Sequence, residues 1–509
     1  MASFYIPLTG LESDSTALNT IANDLANLNT TGFKAQTVNF SDLFYQQIGE
    51  AASGNEIQEG SGVAVAAIES QYTQGSIVST GNATDVAING NGFFVLGDGA
   101  SNIYTRDGNF GLSSDGALIT QNGQPVLGYP AAGGVVNTNA PLSAITVPVG
   151  QVEAAQATSS FGMTANLDAS AAVGTTVPGQ ITMYDSLGVS HVATVSYTKT
   201  GTNTWSYSIS MPETLAATSN TVAGTTTIAY NFGASGANVA TVDVGTNLAI
   251  TGPTAAGTAT IATPAVTAGE TVATYAAALQ TAVTAAGITG VTVSSTAGGQ
   301  LSIVGANIST SGSVIQDPVA TNTSGTLAFD TSGNLTNPAA NISGISFAGL
   351  SDGAANMTFS WNILGSAGTP TVTQTSAASA VSATTQNGYA SGQYQSFSIA
   401  SDGTVEATYS NGQQLAVGQL ALANVANSQG LQLLGDGDYA TTQASGTAAT
   451  GVSGSAGLGA FQDASLEESN VNISAEFSDL IIAQRAFEAN SKAVTTFDTI
   501  AQETINMVH

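Results

Sequence analysis

Two histidines stand in the sequence, His191 and His509. Neither has a second histidine or a cysteine at ligand spacing, so no tetrahedral zinc site is expected. A nucleophilic triad would have to use His191 as its base. That residue lies in the alternating run Ser190-His191-Val192-Ala193-Thr194-Val195, which predicts a strand histidine, on the surface or satisfied by neighbours. The acidic turns Gly435-Asp436-Gly437-Asp438 and Asp330-Thr331-Ser332-Gly333-Asn334 carry oxygen ligands that suit calcium, but neither follows the twelve-residue loop with its terminal glutamate. Local turn bonding is the expected role of both. Glycines abound, yet no phosphate- or dinucleotide-binding glycine motif follows a suitable strand. No catalytic residue, metal or cofactor is expected.

Charge narrows the partners. The chain has 33 acidic residues against 5 basic ones, a formal charge of −28, which repels the phosphate backbone that a nucleic-acid binder must neutralise. Charged residues make up only 7% of the sequence. The abundance of Gly, Ala, Ser, Thr and Asn is that of extracellular β-rich fibre proteins. With no cysteine, stability rests on packing rather than disulfides. The start, Met1-Ala2-Ser3-Phe4-Tyr5-Ile6-Pro7, lacks the basic and apolar regions of a cleaved secretory signal, so export by another route is expected. No run of 18 apolar residues predicts a membrane span.

The elements follow from periodicity. Leu11, Leu18 and Leu25, with Ile21 and Leu28, repeat every seven residues and predict a helix over 8–28 that ends at Asn29-Thr30-Thr31-Gly32. A longer heptad series runs Leu466, Ile473, Leu480, Phe487, Val494, Ala501 and Val508, with Phe497 and Ile505 widening the face. Asn472 or Ser474 is placed to cap that helix, and Glu488 precedes Lys492 by four residues, a weak exposed pair. Between these ends, short alternating runs punctuated by Gly, Asn-Gly and Asp-Gly predict β-structure, as in Phe93–Leu96 and Val405–Tyr409. One helix, Glu270–Ala285, interrupts them within a stretch rich in Ala, Thr and Gly. At 509 residues, several cores are required, since a single core stops growing at about 250–300 residues. The fold class expected is mainly β with long α-helices at both termini, in a nested multidomain chain. A narrow apolar stripe cannot bury itself alone, so each terminal helix needs the other or a neighbouring copy. A monomer closed by an antiparallel helix pair satisfies the same pattern.

Three blocks resemble the flagellar axial protein family of rod and hook subunits, and within it the hook. They are Ala22-Asn23-Asp24-Leu25-Ala26-Asn27-Leu28-Asn29-Thr30-Thr31-Gly32-Phe33-Lys34; Gly75 to Phe94, continuing through Tyr104-Thr105-Arg106-Asp107-Gly108-Asn109-Phe110; and Leu466 to Phe477 with Ala483 to Lys492. In the first, Asn29 and Thr30 are expected to bond the last helical turn, Gly32 to take a left-handed conformation and Phe33 to anchor the departing chain, with Asn27 and Lys34 completing the signature turn. Met183-Tyr184-Asp185-Ser186-Leu187-Gly188-Val189-Ser190-His191 and Leu327–Leu335 are similar to hook-specific segments, and the chain is far longer than distal rod subunits.

The resemblance implies an axial subunit with a terminal helical coiled-coil domain lining the inner tube (1–30 and 466–509), a connector (31–74), a β-rich shared axial domain (75–150 and 375–465), a β-rich second domain (151–216 and 324–374) and an inserted α+β outer domain (217–323). It implies a secreted, non-catalytic hook subunit that polymerises into a curved tube, a universal joint around the export channel. The assembly seam is then Leu11, Leu18, Ile21, Leu25, Leu28, Ile473, Leu480, Phe487, Val494, Phe497, Ala501 and Val508. Implied partners are copies of itself, the distal rod, the hook cap, the hook–filament junction proteins and the flagellar export apparatus. A distal rod or hook-associated subunit is the alternative within the family; a surface-layer protein or adhesin is the alternative outside it.

Overall fold

The structure, a computed structural model, describes residues 5–50, 56–99, 101–235, 238–261, 263–365 and 368–507. Val508 and His509 lie outside the described residues. The chain divides into two compact units, Met1–Gln151 with Gln393–His509, and Val152–Gly392. Three helices interrupt an otherwise β-rich chain: α1 (Tyr5–Ala26), α2 (Val272–Ala285) and α3 (Ile473–Met507).

In the first unit, the segment after α1, expected as a connector, forms a ribbon. Strand Gln36–Asp42 pairs antiparallel with Val63–Ser70, and the hairpin Gln46–Glu50 with Glu56–Glu59 extends it. Beyond the ribbon lie two main sheets. One orders Ser143–Ala144, Leu127–Val136, Gln414–Leu420, Thr404–Tyr409 and Gly392–Ile399; the other orders Gln432–Gly435, Asp438–Ala440, Ser101–Thr105, Phe93–Asp98, Leu422–Asn424 and Ala449–Gly451. Each sheet draws strands from both halves of the chain. Alternation does what the sequence predicts: Val405, Ala407 and Tyr409 are buried while the residues between them are only partly covered. Phe94 packs edge-on against Phe110 at 4.9 Å and stacks with Phe461 at 5.9 Å in one core.

The second unit holds two cores. The first is enclosed by a sheet of Thr176–Tyr184, Ser190–Gly201, Thr204–Ser210, Ser324–Phe329 and Leu335–Asn337 and by a sheet built around Ile342–Ala348, Met357–Trp361 and Ser160–Asp168. Strand Ala380–Gln386 pairs with Ser160–Asp168, so the chain returns to the first unit at Gln393, later than the 375 expected from sequence. The second core is the insert. Tyr275, Leu279 and Val283 on one face of α2 pack with Leu301, Ile303 and Ile250, and Thr271 caps the helix by accepting from the Thr274 N–H.

Leu466 opens the expected C-terminal heptad series, but it lies in strand Ser465–Glu467, paired with Ile77–Ser79. Helix begins only at Ile473, where Asn472 Oδ1 accepts from the N–H groups of Ser474 and Ala475 at 3.0 and 3.2 Å. A seven-residue repeat continued by accident through an extended segment has no helical meaning.

Both tryptophans of the chain, Trp205 and Trp361, are fully buried in the first core of the second unit. Trp361 stacks on Phe161 at 5.7 Å and meets Tyr207 edge-on at 5.2 Å, and its indole N–H has no hydrogen-bond partner. Its contribution is therefore packing. Trp361→Ala should destabilise this core by about 3–5 kcal/mol, whereas Trp361→Phe keeps the stacking without stranding a polar group and should cost far less. Urea unfolding followed by the remaining Trp205 fluorescence separates the two outcomes.

Candidate functional site

The terminal helices pack antiparallel. Asn490 Nδ2 on α3 donates to Asp14 Oδ2 on α1 at 2.8 Å, while Glu476 at the start of α3 lies beside Asp24 near the end of α1. Gly10 permits the approach, since a Cβ there would stand 2.6 Å from the Asn490 amide nitrogen. Leu11, Leu18, Ile21 and Leu25 on α1 are half-buried, as are Leu480, Phe487, Val494 and Phe497 on α3. Leu28 is half-buried in the turn beyond α1. Ile473 and Ala501 are exposed, and Val508 lies outside the described residues. Glu488 and Lys492 form no ion pair among the described residues.

A second apolar face on α3 includes residues outside the heptad reading. Phe477, Ile481 and Ile482 are 52%, 56% and 65% exposed, and Ile500 and Ile505 are exposed as well. The four-residue steps from Ile473 through Phe477 to Ile481 place them on one stripe. The last turns of α3, from Asp498 onward, are exposed on all sides.

The signature turn is built as a close contact. Thr30 closes α1 with its N–H on the Asn27 carbonyl at 3.1 Å and its hydroxyl on Asn27 Oδ1 at 3.0 Å, while Asn29 is exposed. Gly32 has φ +66°, and a Cβ there would stand 2.7 Å from the Arg106 carbonyl carbon, so both the conformation and the space demand glycine. Phe33 is only half-buried. The residue that anchors the departing chain is Lys34, 3% exposed.

Lys34 Nζ donates to Glu467 Oε1 at 2.6 Å and to the Thr73 carbonyl at 2.9 Å. Arg106 places Nε at 3.0 Å and its NH2 nitrogen at 2.8 Å from Glu467 Oε2, and its NH1 nitrogen donates to the Gly90 and Gly92 carbonyls at 2.9 and 2.6 Å. Gly75 N–H completes the set on Glu467 Oε1 at 2.8 Å. Burial, partly offset by the Glu467 carboxylate, lowers the Lys34 ammonium from its ordinary value. All three residues lie in the blocks that carried the resemblance, one in each. Their pairing was not visible in sequence, because single charges far apart in the chain have no spacing; the available signal was their scarcity among five basic residues.

The other candidates do local work. Asp330 Oδ1 accepts from the N–H groups of Ser332 and Asn334 at 2.8 and 2.9 Å, and these turn bonds, with the Asn334 side chain, lower its carboxyl. Asp436 takes a left-handed φ of +54° in its turn and accepts from Asn122 at 3.2 Å. His191 is buried among Asp185, Glu213 and Asp352.

Comparison with known proteins matches four family descriptions along the chain: flagella basal body rod protein over 4–34; flagellar hook protein FlgE/F/G D1 domain over 87–161; flagellar basal body protein FlaE D2 domain over 156–301 and 292–389; and flagellar basal body rod FlgEFG protein C-terminal over 462–507. The flagellar hook protein FlgE of Treponema pallidum is 30% identical over 100% of this chain and 99% of its own. That of Salmonella typhimurium is 30% identical over 99% of this chain and 100% of its own. The flagellar basal-body rod protein FlgG of Buchnera aphidicola (subsp. Baizongia pistaciae) is 38% identical, but over only 32% of this chain.

The triad makes a stability prediction. Glu467→Gln leaves two buried cations facing a neutral amide and should cost about 3–5 kcal/mol, the range for stranding half of a buried pair. Replacing Lys34 and Glu467 together by Met and Gln removes one charge with the other and should cost less than Glu467→Gln alone. Urea denaturation of each variant, followed by circular dichroism, gives the comparison.

Proposed function

Since the chain belongs to the flagellar hook protein family and is a structural subunit of the hook, outside the cell, we propose that it polymerises into a curved tube through the faces its terminal helices leave open. The observation that carries this reading is Phe477, Ile481 and Ile482 on α3, each more than half exposed although α1 already packs against this helix. A monomer gains nothing from large apolar side chains held in water on a helix, whereas a tube buries them between copies. Leu11, Leu18, Ile21, Leu25, Leu28, Leu480, Phe487, Val494 and Phe497 form the inner seam of that assembly, with Ile473, Ala501 and Val508 at its ends. The signature turn from Asn27 to Lys34 sets the angle between the helix pair and the β-domain.

In this reading the helices surround the export channel, and the β-domains stack outward with small, weakly charged side chains that exchange neighbours as the tube bends. The subunit is a universal joint and carries out no catalysis. It leaves the cell by the flagellar export apparatus and contacts the distal rod, the cap and the filament junction at the tube's ends. The insert is an outer module that assembly does not require.

Leu480→Asp with Phe487→Asp places two carboxylates on the inner seam, where an unpaired buried charge is prohibitive. The double variant should form no hooks and not swim while keeping its β-sheet circular dichroism, and Glu488→Gln on the exposed face should swim normally. Electron-microscopic hook counts beside motility assays decide this; normal hooks in the double variant would overturn the seam.

Replacing residues 217–312 by a short Gly/Ser turn keeps strand Glu213–Leu215 beside Val314–Asp317 and should leave hook formation intact. A strain making no hooks with the shortened chain would show the insert to be part of the lattice.

A further inference from the structure

His191 stands in strand Ser190–Gly201 with both ring nitrogens against carboxylates. Nε2 hydrogen-bonds Asp185 Oδ2 at 2.9 Å and is 3.7 Å from Asp352 Oδ2; Nδ1 is 2.9 Å from Glu213 Oε1, a charge contact without hydrogen-bond alignment that leaves this buried oxygen with no other partner. A neutral imidazole has one N–H and one lone pair. In either neutral tautomer a lone pair would therefore be pressed against a carboxylate oxygen. The imidazolium, which meets a carboxylate oxygen on each side with positive charge, is the form this setting favours, and it has no lone pair left for a metal ion.

The three carboxylates belong to different parts of the second unit. Asp185 sits in the turn between Thr176–Tyr184 and Ser190–Gly201, where its Oδ1 also accepts from the N–H groups of Leu187 and Val189 at 2.8 and 2.9 Å. Asp352 follows strand Ile342–Ala348. Glu213 lies where the chain enters the insert, in a strand paired with Val314–Asp317, where the chain leaves it. Glu213 Oε2 accepts from the Gln316 side-chain amide at 2.5 Å and from Ser351 N–H at 2.9 Å. Gln316, fully buried, takes the Gly233 N–H on its Oε1 at 2.8 Å. One imidazole thus joins the second-domain sheet to both strands at the root of the insert.

We propose that His191 is a proton-operated latch: as imidazolium it clamps the root of the inserted module to the second-domain sheet, and loss of its proton in alkaline medium frees Glu213 and loosens the module. Burial works against the charged ring, but the Glu213 and Asp185 carboxylates outweigh it and raise His191 from 6.5 to about 9. The sign follows from linkage. A group raised in the closed state contributes fully below its ordinary value near 6.5, and the contribution is lost as pH rises through about 9. The groups facing His191 are Asp185 and Glu213, whose hydrogen bonds outweigh burial and hold them below the ordinary carboxylate value, and Asp352, which burial and the neighbouring Asp185 raise. A hook exposed to the medium would meet the alkaline step directly.

The test uses the full chain labelled with 15N-histidine, His191→Gln assigning the signal. The ring should carry two protons at pH 7 and titrate near pH 9. Amide protection in 213–215 and 314–317, corrected for the intrinsic exchange rate, should fall by roughly 50-fold or more between pH 7 and pH 10, the factor expected from a shift of this size. His191→Gln should show the loosened root already at pH 7 and no step above it. Glu213→Gln should lower the ring's titration midpoint. A singly protonated ring at pH 7, or the same protection step in His191→Gln, overturns the latch. If His191→Gln fails to fold, the Glu213→Gln titration decides: an unchanged midpoint overturns the proposal.

Discussion

Glu467 holds two cations out of water, and the geometry of the first unit depends on that arrangement. Its carboxylate lies just before α3, Lys34 just after α1, and Arg106 in the β-domain between them. Burying three charges is expensive, and an apolar substitute would serve stability as well. What the triad supplies is direction. The partners of Lys34 and Arg106 are backbone and carboxylate oxygens, so the chain leaves α1 and enters α3 along one set of vectors. Gly32 tightens the same joint, because the signature turn rests on the Arg106 backbone where no side chain fits.

The helix pair and the β-domain therefore meet through a polar hinge rather than a greasy one. Apolar contacts tolerate sliding and repacking, whereas a buried ionic network fixes one register. That division suits a subunit whose helix faces remain open and whose stable cores lie elsewhere. The aromatic cores around Phe94 and Trp361 keep each unit folded whether or not the open helix faces are covered.

Much of this was legible in the sequence where a period exists. Seven-residue spacing marked both terminal helices, and two-residue alternation marked strands such as Val405–Tyr409. Periodicity failed where it had no physical owner: Leu466 matches the heptad but lies in a strand, and the stripe from Ile473 through Phe477 to Ile481 steps by four, so a seven-residue series meets only its first residue. Strand Ala380–Gln386 was assigned to the wrong side of a boundary because nothing in its composition differs from its neighbours; pairing with Ser160–Asp168 decides where it belongs. The His191 cluster was half visible. Asp185 and His191 flank one hairpin turn, but Glu213 arrives from a strand and Asp352 from a turn whose positions only the fold determines.

The triad also has a temporal side. Lys34 and Glu467 are 433 residues apart in sequence, so their pairing closes a loop that spans nearly everything the chain folds. Loop-closure entropy grows only logarithmically, and equilibrium stability barely registers such a span. Kinetics does, because contacts between distant residues form late. A chain delivered from its N-terminal end can complete the second unit, insert included, while Lys34 still lacks its counter-ion. The helix pair closes only once residue 467 has arrived and α3 can follow. The joint that sets the direction of the helices is thereby also among the last to close.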